Sequence, residues 1–378
     1  MSERPIPAEE VFRRAQAIGQ YYGFRSFASL AAGARGKKKA APALPQLAGL
    51  DPIAEQVASF LRQLAGTDAL PTAREPLFLW HSNLAPGRPA PKNAVVQFHA
   101  ISADRAIADA VLIRAARALT RDLYREEPEV RLNSMGDKET RARFARELGS
   151  FFKKRGAALP DECVECAKRD VFAGAEMLIE RDFAEELPSP TDHLSDASRK
   201  RFEELLEYLE ATETPYLLSP ELLSRGSVWS EMCFEIRVEE KPVAWGSRYP
   251  ELARQFLKAP PPAAAAAVLR IATAGGALPP AKKARTRFAF VHIGEEAKRA
   301  SMMLAEELKR AHIPLAQMIG VESLAEQMRF AEALNPPYLL IMGRKEALER
   351  SAILRNRATQ EETVLSLAGL SERLKAVA

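Results

Sequence analysis

Residues 274–283, which hold Gly275-Gly276 and Pro279-Pro280, divide this chain into two parts whose patterns differ in kind. Glycine and proline in tandem interrupt helix and strand periodicity alike, and such a run marks a boundary between folding units. After it, apolar strand-like segments at 288–293, 315–319 and 338–342 alternate with helical patterns at 295–311 and 323–334. Strand–helix–strand repetition of this length implies right-handed crossovers and a largely parallel sheet covered by helices. A strand pair, 352–355 with 363–367, turns around 358–361, and a last helix closes the chain. The expectation is a compact α/β domain of about ninety residues.

Ahead of the break the pattern is mixed. Val11, Phe12, Ala15, Ile18 and Tyr22 keep helical spacing across 7–23, and a second helix is expected from Pro52 to Leu64. Residues 31–45, rich in Ala, Gly, Lys and Pro, carry no periodicity and read as a loop. The apolar runs 77–80 and 95–99 flank turn chemistry at 83–93 and predict a hairpin. A long helix from Asp104 to Tyr124, a strand ending in Leu132, and amphipathic helices at 138–156 and 195–210 follow. From Val228 to Glu239 apolar and polar side chains alternate, the mark of a strand with one dry and one wet face. The alanine-rich run from Pro260 predicts a final apolar helix ending near Gly275. Hairpins favour an antiparallel sheet, so the first part is α+β. The expected organisation is a domain over 1–273 with a helical insertion at about 138–200, a linker at 274–286 and the α/β domain at 287–378.

The chain has 378 residues, too many for one ordinary core. No apolar run approaches the roughly 18 residues that span a bilayer. The N-terminus reads as a charged helix instead of a secretory signal, and three cysteines are too few for a disulfide framework, so the cytoplasm is expected. Cys163 and Cys166 form one Cys-x-x-Cys without a second pair, and the five histidines lack metal-site spacing; no metal site is expected. The net charge of +4 is compatible with a polyanion partner, and cations bunch at 35–39, at 282–287 and in the last domain. There Arg344, Lys345, Arg350, Arg355 and Arg357 surround two strand ends and form a candidate phosphate-contacting patch.

Three stretches in this order resemble the histidyl-tRNA synthetase family of class II aminoacyl-tRNA synthetases. The first is Leu132-Asn-Ser-Met-Gly-Asp137 with Arg141 and Arg143 behind it. The second is Leu223-Ser-Arg-Gly-Ser-Val-Trp-Ser-Glu-Met-Cys-Phe-Glu235, similar to the family's Arg-Gly-Leu-Asp-Tyr-Tyr loop, leading to Gly246-Ser-Arg-Tyr249. The third is the last domain, where Ser323-Leu-Ala-Glu-Gln-Met328 and Tyr338-Leu-Leu-Ile-Met-Gly343 resemble the family's anticodon-binding domain. The resemblance implies a class II synthetase-like antiparallel sheet with helices, followed by an anticodon-binding-like α/β domain.

It also implies chemistry, much of which this sequence lacks. Activating an amino acid requires cations against the phosphates of a bent ATP, with magnesium. The family's arginine at the end of the first hairpin strand falls on Ala85, with Arg88 nearby as a displaced substitute. Its Arg-Pro-Glu-Gly-Thr segment falls on Leu50-Asp-Pro-Ile-Ala-Glu55, and its Phe-His-Gln on Phe98-His-Ala100. Arg225 keeps the place of the catalytic arginine, and Arg248 and Arg270 keep those of arginines at the ATP phosphates. Alkyl groups at a cation site and at an amine receptor remove charge stabilisation outright. The expectation is therefore a non-catalytic paralogue that binds tRNA, another RNA or a protein partner. The alternative is a divergent but active histidine–tRNA ligase using Arg225, Arg88, Arg248 and Arg270. A regulatory subunit of histidine biosynthesis ranks third, because that family generally lacks an anticodon-binding-like domain. The resemblance implies a homodimer, weakened because the family's first motif is replaced around 27–39.

Overall fold

The computed structural model describes residues 5–33, 51–67, 76–85, 87–223, 228–257, 263–276, 278 and 286–377. The first part contains strands β1 (Arg25–Ser26), β2 (Leu77–Ser82), β3 (Asn93–Ile101), β4 (Glu129–Ser134), β5 (Leu217–Leu218), β6 (Ser230–Val238), β7 (Lys241–Arg248) and β8 (Ala264–Ala272). Its helices are α1 (Ala8–Tyr21), α2 (Phe27–Gly33), α3 (Pro52–Ala65), α4 (Ala106–Tyr124), α5 (Lys138–Arg155), α6 (Asp161–Arg169), α7 (Val171–Ile179), α8 (Asp196–Ala211) and α9 (Pro250–Phe256). The strands form one sheet in the order β1-β2-β3-β8-β7-β6-β4-β5. Its inner pairs are all antiparallel; only the two-residue edge strands β1 and β5 pair in parallel.

Helix α4 crosses one face of this sheet. Nearly every α4 position is buried, because α1 and α8 pack on the sides the sheet leaves free. The opposite face is covered in two pieces. Helices α2, α3 and α9 lie over β2, β3 and β8, and α5–α7 lie beyond β6 and β7. Asp51 starts α3 by accepting from Ile53 N (2.8 Å) and Ala54 N (2.9 Å) with one carboxylate oxygen, satisfying two of the donors a helix start leaves open.

The alanine-rich run 264–267 is a strand, not the helix its composition suggested. It lies in the middle of the sheet between β3 and β7. Ala265 and Ala267 face α4; Ala264 and Ala266 face the α3–α9 layer. A strand dry on both faces shows no alternation, so periodicity cannot separate it from a buried helix, and alanine's helix propensity misleads. In β6 the expected wet face is half-buried at Glu231, Glu235 and Arg237. Cys233 is sealed under α5–α7, and a register shift between Ser230 and Cys233, with Glu231 at φ 57°, interrupts the alternation. Residues 31–33 close α2; the rest of the expected loop, 34–45, lies outside the described residues.

The second part contains β9 (Phe288–His292), α10 (Glu295–Arg310), β10 (Leu315–Gln317), α11 (Leu324–Leu334), β11 (Tyr338–Met342), α12 (Arg344–Leu348), β12 (Ser351–Asn356), β13 (Glu362–Ser366) and α13 (Leu370–Val377). The sheet order is β10-β9-β11-β12-β13, parallel across the first three strands and antiparallel across the last three. The two parts touch directly. Tyr21 Oη donates to Ile313 O (2.7 Å), Gln317 Nε2 to Tyr21 O (2.8 Å), and Lys309 Nζ to Asp122 (3.1 Å). A side chain on Gly320 would strike the Phe78 ring at 1.9 Å, so glycine there lets the two parts close. Among the described residues no helix is long and apolar enough to cross a membrane.

Candidate active-site face

The face of the large sheet turned away from α4 opens into a cavity of about 460 Å³ beside β4, β6, β7 and β8. Strand alternation chooses its lining. Phe234, Ile236, Leu269 and Ile271 point into the α4 layer. Arg131, Glu235, Arg237, Trp245, Val268 and Arg270 therefore face the cavity, joined by Asp51, Glu176, Glu221 and Trp229. Trp229 and Trp245 meet edge to face, 4.6 Å between ring centroids, and form its aromatic wall.

The charges in this cavity are largely spent on one another. Arg131 Nε donates to Glu129 (2.5 Å), and its other nitrogens lie 3.7 Å from Glu221 and 3.6 Å from Glu240. Arg237 Nε donates to Glu235 (2.7 Å). Arg270 Nη2 donates to Pro52 O (3.0 Å), and among the described residues no carboxylate pairs with it. Asp51 accepts from Trp229 Nε1 at 2.7 Å with the oxygen that α3 does not use, so both of its oxygens are engaged. A cation approaching this site meets carboxylates most of which hold partners, with exposed Glu180 at its edge, and an anion meets Arg270.

Nearer the hairpin the same face is closed. Phe60 of α3 stacks on His99 with 3.7 Å between centroids and 10° between planes. His99 Nδ1 pairs with Tyr249 Oη (2.9 Å) and Nε2 with Gln97 Oε1 (3.1 Å), and the ring is fully buried. Burial, helped by nearby His81, pushes the His99 imidazole well below its ordinary range, and burial pulls His81 down to about 4. His99 is a neutral, satisfied sheet residue with no open path to a substrate. Ala100 points the other way, into the α4 layer, and Glu55 is exposed on α3.

The arginines expected at ATP phosphates do not converge. Arg248 is on β7 but points to the α4 face, opposite Arg270. It is buried against Asp109 (Nε–Oδ2 2.9 Å) and donates to Ala103 O (3.1 Å) and Arg105 O (3.1 Å). Alternation places Arg248 and Arg270 on different faces because Arg248 pairs with Ala265 and Arg270 with Val95. Arg88 is exposed at the hairpin tip, outside the cavity, in a turn where its N–H bonds Ala85 O (3.1 Å). Arg225 lies outside the described residues. Sequence reasoning missed Arg131 and Arg237, although Arg237 stood in the alternating run whose polar side faces the cavity.

The cationic patch of the second part is split. Arg344 and Lys345 follow the end of β11, near Glu296 (3.2 Å) and Glu349 (4.0 Å). Arg355 and Arg357 stand beside the start of β11, with Arg355 Nε on Glu362 (2.6 Å) and Arg357 Nη1 on Asn335 Oδ1 (2.7 Å). Five residues of β11 separate the groups, about 15 Å along the strand. Arg350 joins neither; it faces the seam against α4 and α10. Among the described residues no three His, Cys, Asp or Glu side chains converge as metal ligands.

Residues 287–377 match the anticodon binding domain family. The chain is 27% identical over 286 residues to histidine–tRNA ligase of Fervidobacterium nodosum, covering 70% of this chain and 66% of that protein. It is 27% identical over 284 residues to histidine–tRNA ligase of Caldanaerobacter subterraneus subsp. tengcongensis, covering 72% and 68%. The chain thus spans about two thirds of the length of these relatives. The apo Staphylococcus aureus histidyl-tRNA synthetase superposes at a TM-score of 0.46 with 16% identity, covering 97% of this chain and 94% of that one. An antiparallel sheet crossed by one long helix, followed by an anticodon-binding domain, is the architecture of a class II aminoacyl-tRNA synthetase. Within that class, the relatives that this chain matches are histidine–tRNA ligases, at 27% identity.

Proposed function

We propose that this chain is a non-catalytic member of the family, with a degenerate active site, that acts by binding tRNA or another RNA. The observation that carries the reading is the dispersal of its cations. Of Arg88, Arg248 and Arg270, Arg270 alone borders the cavity. Holding a bent triphosphate takes several positive groups around one point, and members of such a site lose rate as a unit when some are missing. The family's Arg-Pro-Glu-Gly-Thr segment is also altered: Asp51, at its arginine, caps α3 and holds Trp229, and the alkyl side chain of Ile53 stands at its amine receptor. The RNA reading rests on the match to the anticodon binding domain family and on exposed Arg344 and Lys345.

Histidine-dependent ATP–pyrophosphate exchange tests the first half. The purified chain is expected to give no exchange above background; exchange at ordinary synthetase rates overturns the reading in favour of an active histidine–tRNA ligase. Filter binding with bulk tRNA over a salt series tests the second half. Arg344→Gln with Lys345→Gln is expected to weaken binding and lower the salt slope by about one to two. No tRNA binding at low salt removes it.

A further inference from the structure

A second cavity, about 640 Å³, lies in the seam between the two parts of the molecule, far along α4 from the candidate active-site face. Arg114, Arg117 and Arg121 of α4 form one wall. Arg299 and Arg310 of α10, with Arg350 at the end of α12, form the other. Glu213, Glu306 and Glu307 are the only carboxylates among its lining residues, so cations outnumber them two to one.

Some of these arginines are neutralised and some are not. Arg117 is paired with Glu127 (2.6 Å), Arg121 with Glu306 (3.1 Å), and Arg299 lies 3.8 Å from Glu207 and over the Tyr208 ring. Arg114, Arg310 and Arg350 form no ion pair among the described residues. Arg114 is the telling member, because it is only 5% exposed. Its donors go to neutral groups: Thr212 O (2.8 Å), Thr214 Oγ1 (2.7 Å) and Met302 O (3.0 Å). Its Nε–H and that of Arg117 are buried without an acceptor among the described residues. Burial, then Arg121 and Arg310, pull the Arg114 guanidinium down to about 10. A buried cation with no counter-charge, beside more cations and an open cavity, is a costly arrangement unless an anion completes it.

We propose that this seam is a binding site for an oligophosphate group, with Arg310 and Arg350 as the direct contacts and Arg114 as the buried charge it compensates. Guanidinium forks match phosphate oxygens two at a time, and several forks in one cleft suit a run of linked phosphates better than a single one. No aromatic side chain lines the cavity, so nothing in it selects a base or ring. The phosphates can belong to a free nucleotide or polyphosphate, or to an RNA backbone. Arg114 already ties 212–214 to Met302 across the seam. An anion here would hold the two parts together by the same charge. The inference is independent of whether the active-site face retains chemistry.

The test is titration of the full chain with inorganic tripolyphosphate, by calorimetry and by melting temperature. Binding with a rise in melting temperature is expected. The Arg310→Gln/Arg350→Gln double variant should bind about tenfold or more weakly. Arg146→Gln, exposed on α5 and outside both cavities, should bind as the unaltered chain does. If the double variant melts early without ligand, Arg350→Gln alone, on an exposed side chain, gives the same reading with a smaller loss. Competition with a homopolymeric RNA identifies the source: displacement of tripolyphosphate assigns the phosphates to nucleic acid, and retention assigns them to a free oligophosphate. Absence of binding at millimolar tripolyphosphate, or equal binding by the variants, overturns the proposal.

Discussion

Arg248 and Asp109 form a buried ion pair under α4, with Arg248 Nε 2.9 Å from Asp109 Oδ2 and both side chains almost fully enclosed. The remaining guanidinium donors reach the carbonyls that lead into α4, so one residue of β7 fixes where the central helix begins. This arginine is a structural strut, placed on the face opposite the cavity where its sequence neighbourhood suggested nucleotide contact.

That arrangement predicts unequal costs for two arginines. Asp109→Ala strands a buried guanidinium and should destabilise the chain by about 3–5 kcal/mol in urea unfolding. Replacing both partners by apolar residues of similar volume should recover most of the loss. Arg270→Gln, exposed and bonded to one carbonyl, should stay within about 0.5 kcal/mol. Equal losses for the two sites would contradict the assignment.

The alanine strand predicts intolerance to size. Ala267 packs under α4 with no exposure and Ala266 under the α3–α9 layer at 1%. Ala267→Leu should cost about 1–3 kcal/mol or more by overpacking, as read from the denaturation midpoint. Were this run an exposed helix, the same change would be nearly neutral.

Two buried imidazoles, His99 and His292, and half-buried His81 predict acid sensitivity. Burial lowers His81 and His292 to about 4 each, and His99 moves the same way. A depressed folded-state pKa means that the unfolded chain binds protons first. The stabilisation is therefore complete above about 6.5 and is lost as pH falls toward 4. Among the described residues neither His292 ring nitrogen has a hydrogen-bond partner, so His292→Leu should flatten that part of the stability–pH curve. An unchanged slope would remove His292 from the account.

The contact between Asp51 and Trp229 predicts a graded series. Trp229→Phe removes one hydrogen bond and leaves the α3 cap, costing about 1 kcal/mol beyond the lost packing. Asp51→Ala removes the bond and the cap together and should cost about 0.5–2 kcal/mol more. Melting temperatures of the two variants in the reverse order would show that Asp51 is not the anchor of this corner.

Much of the fold was legible because local rules and tertiary packing agree. Strand and helix spacing from Phe288 onward match β9 to β13 with α10, α11 and α13, and the helix expected from Pro52 to Leu64 matches α3. The Arg344–Arg357 patch was harder. Nearness in sequence does not give nearness in space here, because the antiparallel return of β12 along β11 carries Arg355 and Arg357 to the far end from Arg344 and Lys345. The seam of arginines could not be read at all, since α4 and α10 are nearly two hundred residues apart in the chain.

By itself the sequence determined most of the longer strands and helices with one wet face, because those signals are carried by neighbouring residues. Only the tertiary structure decided that 264–267 is a central strand, that Arg248 and Arg270 lie on opposite faces, and that six arginines meet across one seam. Strand pairing and helix packing join residues distant along the chain, and periodicity holds no record of which element will cover which face.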